Sequence, residues 1–169
     1  MLVAVLSDVH DSVTRLLTAL AYARVAGCTH LLFAGDMESS TTFRLMREEW
    51  PHGMDVVFGN NETERVTFAH LAQEWEATRL HGDVGTLKLA GRRLFLTHYP
   101  HVAAKAAATG EFDAAFFGHS HKAESAYVPT AQGGRCLLAN PGEVCGLRYG
   151  HPTFGIYNTD DNTFSLHPL

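Results

Sequence analysis

Leu2 to Leu6 and Leu31 to Ala34 are short apolar runs with no polar alternation, and each gives way within a few residues to a segment with helical spacing. A strand without alternation must be covered on both faces, which is how strands of a buried parallel sheet read. After the first run, Asp11-Ser12 supplies an N-cap, Leu16, Leu17, Leu20 and Ala23 recur on one helical face, and Gly27 marks the stop. After the second, Ser39 to Trp50 predicts a helix ended by Pro51. Asp55 to Phe58 predicts a third strand and Glu62 to Trp75 a third helix. Strand, helix, strand, helix, strand is the pattern of parallel β-α units.

From about residue 78 the texture changes. Val84 to Leu89 and Arg92 to Thr97 predict a hairpin that turns at Ala90-Gly91. His101 to Thr109 is alanine-rich and predicts a helix stopped at Gly110, and Ala114 to Phe117 predicts another buried strand. Ala123 to Val128, Arg135 to Ala139, Pro152 to Tyr157 and Thr163 to His167 complete the strands. No repeat, linker or low-complexity segment divides them. Residues 1–169 therefore read as a single α/β domain, parallel first and antiparallel later, with two sheets and helices outside.

Composition narrows the function classes. A chain of 169 residues can bury a proper core, and 18% charged with 46% hydrophobic residues is ordinary for a globular protein. The net charge is −5 and the cations, such as Arg15, Arg44, Arg65 and Lys105, are scattered. Without a basic stripe, neither duplex nucleic acid nor an anionic membrane is an expected partner. The apolar opening is too short for a signal-peptide core, and no stretch is long enough to span a bilayer. The 3 cysteines (Cys28, Cys136 and Cys145) lack Cys-x-x-Cys spacing and read as reduced thiols of a cytoplasmic protein.

The chemistry sits just past the strands. Asp8-Val9-His10, Gly35-Asp36, Gly59-Asn60, His98 and Gly118-His119-Ser120-His121 each follow a predicted strand. Residues beyond the carboxyl ends of strands in an α/β sheet line the functional crevice, so these five signatures are expected to converge. Asp8 and His10, like His119 and His121, are two apart and would share a direction in extended backbone. Carboxylate, amide oxygen and imidazole suit Mn, Fe, Ni, Co or Zn better than calcium or a soft copper ion. A natural division gives Asp8, His10 and His121 to one ion and Asn60, His98 and His119 to the other, with Asp36 bridging. Two ions roughly 3.5–4 Å apart activate a shared water and clamp the oxygens of an in-line displacement at phosphorus.

This ordered set resembles the calcineurin-like metallophosphoesterase superfamily along nearly the whole chain. The small size, the Asp8-x-His10 start and the late Asn140-Pro141-Gly142 are most similar to its compact YfcE-like phosphodiesterase branch. The resemblance implies a four-layer α/β/β/α sandwich of two mixed sheets flanked by helices. It also implies two divalent transition metal ions, manganese first, with nickel, iron, cobalt or zinc as alternatives. The expected nucleophile is a hydroxide bridging them, the expected substrate a small phosphoester with nucleotide-like ones among the candidates, and family habit adds a homo-oligomer.

Departures from the family pattern refine this. Larger members carry a histidine after Gly-Asn that protonates the leaving group, and here that position is Asn61. General acid catalysis contributes about 10²–10⁴-fold, so its loss favours diesters and activated esters. Asn61 is then a candidate for holding a phosphate oxygen, and His101 for supplying the missing proton. The usual serine after Asn-Pro-Gly is Glu143, expected to be solvated, and Arg148 falls near where relatives carry an arginine facing phosphate. Any one signature alone is more often a cap or a turn; all five in order at strand ends favour the metal site. The other histidines read as surface or satisfied groups. The expected function is a metal-dependent phosphodiesterase. The alternatives are a phosphomonoesterase, or a scaffold of the same fold like the retromer subunit, whose metal centre is degraded.

Overall fold

A computed structural model describes residues 1–169. In chain order the elements are β1 (Leu2–Leu6), α1 (Val13–Val25), β2 (His30–Phe33), α2 (Ser40–Glu49), β3 (Gly53–Val56), α3 (Arg65–Glu74) and β4 (Thr78–Leu80). They continue with β5 (Val84–Leu89), β6 (Arg92–Thr97), α4 (Pro100–Thr109), β7 (Ala114–Phe116), β8 (Glu124–Pro129), β9 (Arg135–Asn140), β10 (Thr153–Asn158) and β11 (Thr163–Pro168). One six-stranded sheet runs β11-β10-β1-β2-β3-β4 and one five-stranded sheet runs β5-β6-β7-β9-β8. β1 to β4 are mutually parallel, as are β6, β7 and β9, while β5, β8, β10 and β11 pair antiparallel.

Three apolar clusters define four layers. Leu16, Leu20, Phe43, Trp50 and Phe68 from α1, α2 and α3 pack with Ala4, Leu6, Leu31 and Phe33 on the outer face of the first sheet. Val3, Val5, Leu32 and Ala34 meet Leu94, Leu96, Phe116 and Leu137 between the two sheets. Ala103, Ala106 and Ala107 of α4 cover Phe95, Ala115 and Phe117 on the far face of the second. Adjacent strand residues thus enter different cores, which is why β1 and β2 are uninterrupted apolar runs. The α/β/β/α sandwich of two mixed sheets is as expected.

Three elements differ from the sequence reading. The third strand spans Gly53–Val56 instead of Asp55 to Phe58, its register set by residue-for-residue pairing with His30–Phe33 of β2. The three-residue strand β4 was invisible to it, because Thr78 to Leu80 has neither the length nor the pattern of a strand and is defined by its pairing with β3. The third helix starts at Arg65 instead of Glu62, since Asn61 and Glu62 turn inward to bind neighbouring loops. The hairpin turn at Ala90-Gly91 has positive φ at both residues (46° and 84°), the two-residue turn that matches strand twist. Gly110 at φ 85° ends α4 in the left-handed conformation.

Candidate metal centre

The carboxyl ends of the parallel strands in both sheets open onto the same region. Asp8 follows β1, Asp36 follows β2, Asn60 follows β3, His98 follows β6 and His119 and His121 follow β7. Backbone hydrogen bonds continue the strand ladders into these loops. Asp8 N–H donates to the Gly35 carbonyl (3.0 Å), His10 N–H to that of Asp36 (3.1 Å) and Gly118 N–H to that of His98 (3.1 Å). The segment after β9 joins in, with Val144 and Cys145 N–H donating to the carbonyls of Ser7 and Asp8.

The local backbone is not the extended one expected for the two Asp/His-x-His pairs. Asp8, His10, Asp36, His119 and His121 all have φ between 44° and 68°. Aspartate and histidine tolerate this left-handed region better than bulky residues, but at a cost of order 1–3 kcal/mol each. Such strain persists where surrounding contacts over-determine it, and here it turns successive side chains inward. Close approach also demands glycine. A Cβ on Gly59 would collide with the Asp36 carboxylate, and one on Gly118 with Ser7 Oγ and Asp8 Oδ2.

All seven candidate ligands come together. His121 Nε2 lies 3.3 Å and His10 Nε2 3.9 Å from Asp8 Oδ1, and the two imidazoles stack with centroids 5.2 Å apart. His98 Nε2 lies 3.2 Å from Asn60 Oδ1, and His119 Nδ1 lies 2.9 Å from the same oxygen and 3.2 Å from His98 Nε2. Asp36 Oδ2 stands between these groups, 3.6 Å from His10 Nε2 and 3.3 Å from His98 Nε2. These contacts gather Asp8, His10 and His121 on one side of Asp36 and Asn60, His98 and His119 on the other. Asp8 Oδ1 and His10 Nε2 are buried without a hydrogen-bond partner, and the ligand atoms of Asp8, His10 and Asp36 lie within 4.8 Å of one another. Orphaned buried polar atoms of this kind are costly unless something binds them, and a divalent cation fits oxygen and imidazole ligands.

Burial and neighbouring charge move these groups in different directions. Burial pushes the Asp8 carboxyl above the usual range, against the pull of His98 and His121. Burial pushes Asp36 up as well, but hydrogen bonds from His98 and from Asn61 prevail and hold it well below that range. Burial drives the His98 imidazole down, yet Asp36 beside it raises it above its ordinary value. Burial and the neighbouring His98 lower His119, which favours the neutral form a metal needs.

Surrounding residues fix the ligands. His98 Nδ1–H donates to the Ala34 carbonyl (2.7 Å), so Nε2 faces the cluster. Glu62, nearly fully buried, accepts from Met37 N–H and Gly59 N–H at 2.7 Å each, tying the Asp36 loop to the Asn60 loop. Its place directly after Asn60-Asn61 was the available signal, missed because glutamate reads as solvated by default. Glu143 was expected to be solvated, and the structure overturns this: it is fully buried and accepts from His121 Nδ1–H at 2.7 Å. Cys145, to which the sequence assigned no role beyond a reduced thiol, places Sγ within 4.8 Å of a ring nitrogen of both His10 and His121. Burial, with Glu143 beside it, pushes this thiol up to about 12, so it is neutral at physiological pH.

The remaining candidates lie further out. Asn61 donates twice to Asp36, from N–H to Oδ1 (3.0 Å) and from Nδ2 to Oδ2 (2.8 Å). Exposed His101 touches the outer side of Tyr99, whose ring also meets His98 and His119. Exposed Arg148 reaches the site through its backbone N–H, which donates to Glu143. Asp11, next to His10 in the chain, accepts from Ser39 and Thr42 at the start of α2.

With this geometry in view, residues 1–162 match the model of the calcineurin-like phosphoesterase superfamily domain. The chain belongs to that superfamily. Membership makes it a phosphoric ester hydrolase. A phosphodiesterase of Methanocaldococcus jannaschii is 25% identical over 166 residues, covering 97% of this chain and 96% of the relative. A solved archaeal phosphodiesterase superposes with a TM-score of 0.88 at 25% identity over the whole of both chains. The phosphoesterase YfcE of Escherichia coli aligns with a TM-score of 0.68 at 21% identity over 99% of this chain and 98% of its own. Vps29 of Entamoeba histolytica aligns at 0.65 and 17% identity over 100% and 98%, and these last two speak to the fold alone.

Proposed function

We propose that this chain is a cytoplasmic phosphodiesterase that works with two divalent transition metal ions, manganese first among them. The observation that carries the reading is the convergence of seven oxygen and imidazole ligands around Asp36, with Asp8 Oδ1 and His10 Nε2 buried and unpartnered. Asp8, His10 and His121 would hold one ion, Asn60, His98 and His119 the other, and Asp36 both. Bound there, the ions supply an activated water and positive charge for the oxygens at phosphorus.

The chain's own residues do the rest. Glu62 fixes the two loops that present Asp36 and Asn60, and Asn61 holds the Asp36 carboxylate while its Nδ2 carries a second hydrogen for a phosphate oxygen. Asn61 cannot donate a proton to a poor leaving group, which favours diesters. His101, on the rim beyond Tyr99, is the proposed proton source, and Arg148 the proposed phosphate contact. The phosphodiesterase relative supports the diester preference. A reducing compartment is supported by three cysteines that are free and buried. The scaffold alternative rests on a degraded ligand set, whereas all seven positions here keep competent ligands.

The test is hydrolysis of bis(p-nitrophenyl) phosphate and of p-nitrophenyl phosphate by protein reconstituted with Mn²⁺. The diester is expected to turn over faster. A diester-to-monoester ratio below one overturns the preference, and no turnover of either overturns the enzymatic reading. Asp36→Asn and His121→Ala are expected to abolish activity while thermal unfolding shows an intact fold; wild-type rates in either would refute the site.

A further inference from the structure

Glu143 follows Asn140-Pro141-Gly142, where the family resemblance leads one to expect serine, and its surroundings are those of a built socket. Four donor groups converge on one fully buried carboxylate. Oε2 accepts from His121 Nδ1–H (2.7 Å), Arg148 N–H (2.9 Å) and the Cys145 thiol (3.4 Å), and Oε1 accepts from Tyr149 N–H (2.7 Å). A carboxylate only accepts, so the proton of a neutral His121 sits on Nδ1 and the lone pair on Nε2. That nitrogen faces Asp8 Oδ1 at 3.3 Å. Asn140, three residues earlier, grips the same loop by donating from Nδ2 to the Gly118 carbonyl and to Ser120 Oγ, both at 3.0 Å. The ends of the loop that carries His119 and His121 are thus held from one short segment. On its other side Glu143 fixes the backbone of a loop whose Leu147 and Tyr149 side chains are exposed.

We infer that Glu143 is a positioning residue that sets the tautomer and ring direction of His121 for cation binding and locks that histidine to the exposed loop at 147–149. A carboxylate behind a metal-ligating histidine raises its basicity, and losing such a partner costs about 10–100-fold in metal affinity. Serine cannot do the same, being too short to reach both the ring and the backbone of 148 and 149. The inference rests on the two-ion reading above.

Metal-free wild-type protein and Glu143→Gln, each checked for cooperative thermal unfolding, are titrated with Mn²⁺ by calorimetry. In the variant one of two sites is expected to weaken by about 10–100-fold while the other holds. A folded variant that binds both ions as wild type does overturns this inference and leaves the two-ion reading intact. A wild-type protein that takes up no Mn²⁺ overturns both. Should the variant not fold, nitrogen-resolved NMR of the wild-type imidazoles in Zn²⁺-loaded protein decides. His121 is expected with its proton on Nδ1 and a metal-shifted Nε2, and a proton on Nε2 refutes the assignment.

Discussion

Glu62 offers the sharpest test of how the site is assembled, because one side chain holds two ligand loops through two backbone bonds. Replacing it with alanine leaves Met37 N–H and Gly59 N–H without their acceptors. Hydrogen bonds to a charged acceptor are worth about 1.5–3 kcal/mol each, so the gross loss is about 3–6 kcal/mol. Removing the glutamate also relieves the burial that pushes its carboxyl above the usual range. That relief, with some hydration of the two freed N–H groups, brings the expected net loss to about 2–4 kcal/mol. Glu62→Gln keeps one accepting oxygen and turns an NH₂ group toward the other N–H, so its loss should be about half as large. Urea denaturation of the metal-free proteins, with unchanged slope, measures both. Because the two loops carry Asp36 and Asn60, Mn²⁺ affinity should fall alongside stability. A Glu62→Ala variant within about 0.5 kcal/mol of wild type, a typical surface-substitution effect, would refute the reasoning.

Two further outcomes are expected. Asp55 of β3 is fully buried between β2 and β4, where His30 and His81 each donate to it at 2.6 Å and Arg79 at 2.9 Å. Burial pushes its carboxyl up, but these donors hold it well below the ordinary range. A depressed pKa stabilises the fold above the ordinary aspartate value, near 3.9, and that stability is lost as pH falls below it. Asp55→Asn should therefore cost about 3–5 kcal/mol at pH 7, with the gap to wild type narrowing below about pH 4 in parallel urea titrations; a constant gap down to pH 3 would contradict the assignment. Gly118→Ala forces a methyl against Ser7 and Asp8 and should destabilise by about 1–3 kcal/mol and weaken Mn²⁺ binding, both read from urea and calorimetric titrations. Unchanged binding would mean the loop relaxes without disturbing Asp8.

The candidate ligands were readable because the physics behind them is local. Apolar runs without alternation specify strands buried on both faces, and the carboxyl ends of parallel strands specify where side chains collect. Asp8, His10, Asp36, Asn60, His98, His119 and His121 could thus be assigned to one site before any contact was known. What supports them was not readable. Glu62, Glu143 and Cys145 have no periodicity or motif of their own, and an isolated acid reads as solvated until a specific buried partner is found.

The backbone of the ligand loops lay equally beyond the sequence. Alternation in extended chain gave the right destination for Asp8 and His10 by the wrong route, since both adopt positive φ. Left-handed backbone at a non-glycine residue is a local penalty, so no local rule predicts it. Tertiary contacts impose it here, through ladder bonds between loops and glycines that let Gly59 and Gly118 approach the carboxylates. The sequence alone determined the layers, the strand ends and the candidate ligand set, because periodicity and ligand chemistry act over a few residues. Only the tertiary structure decided which donors face one another, which acids are dry and which histidine nitrogen is presented, because those depend on contacts between residues more than a hundred positions apart, such as Asp8 with His119 and His121.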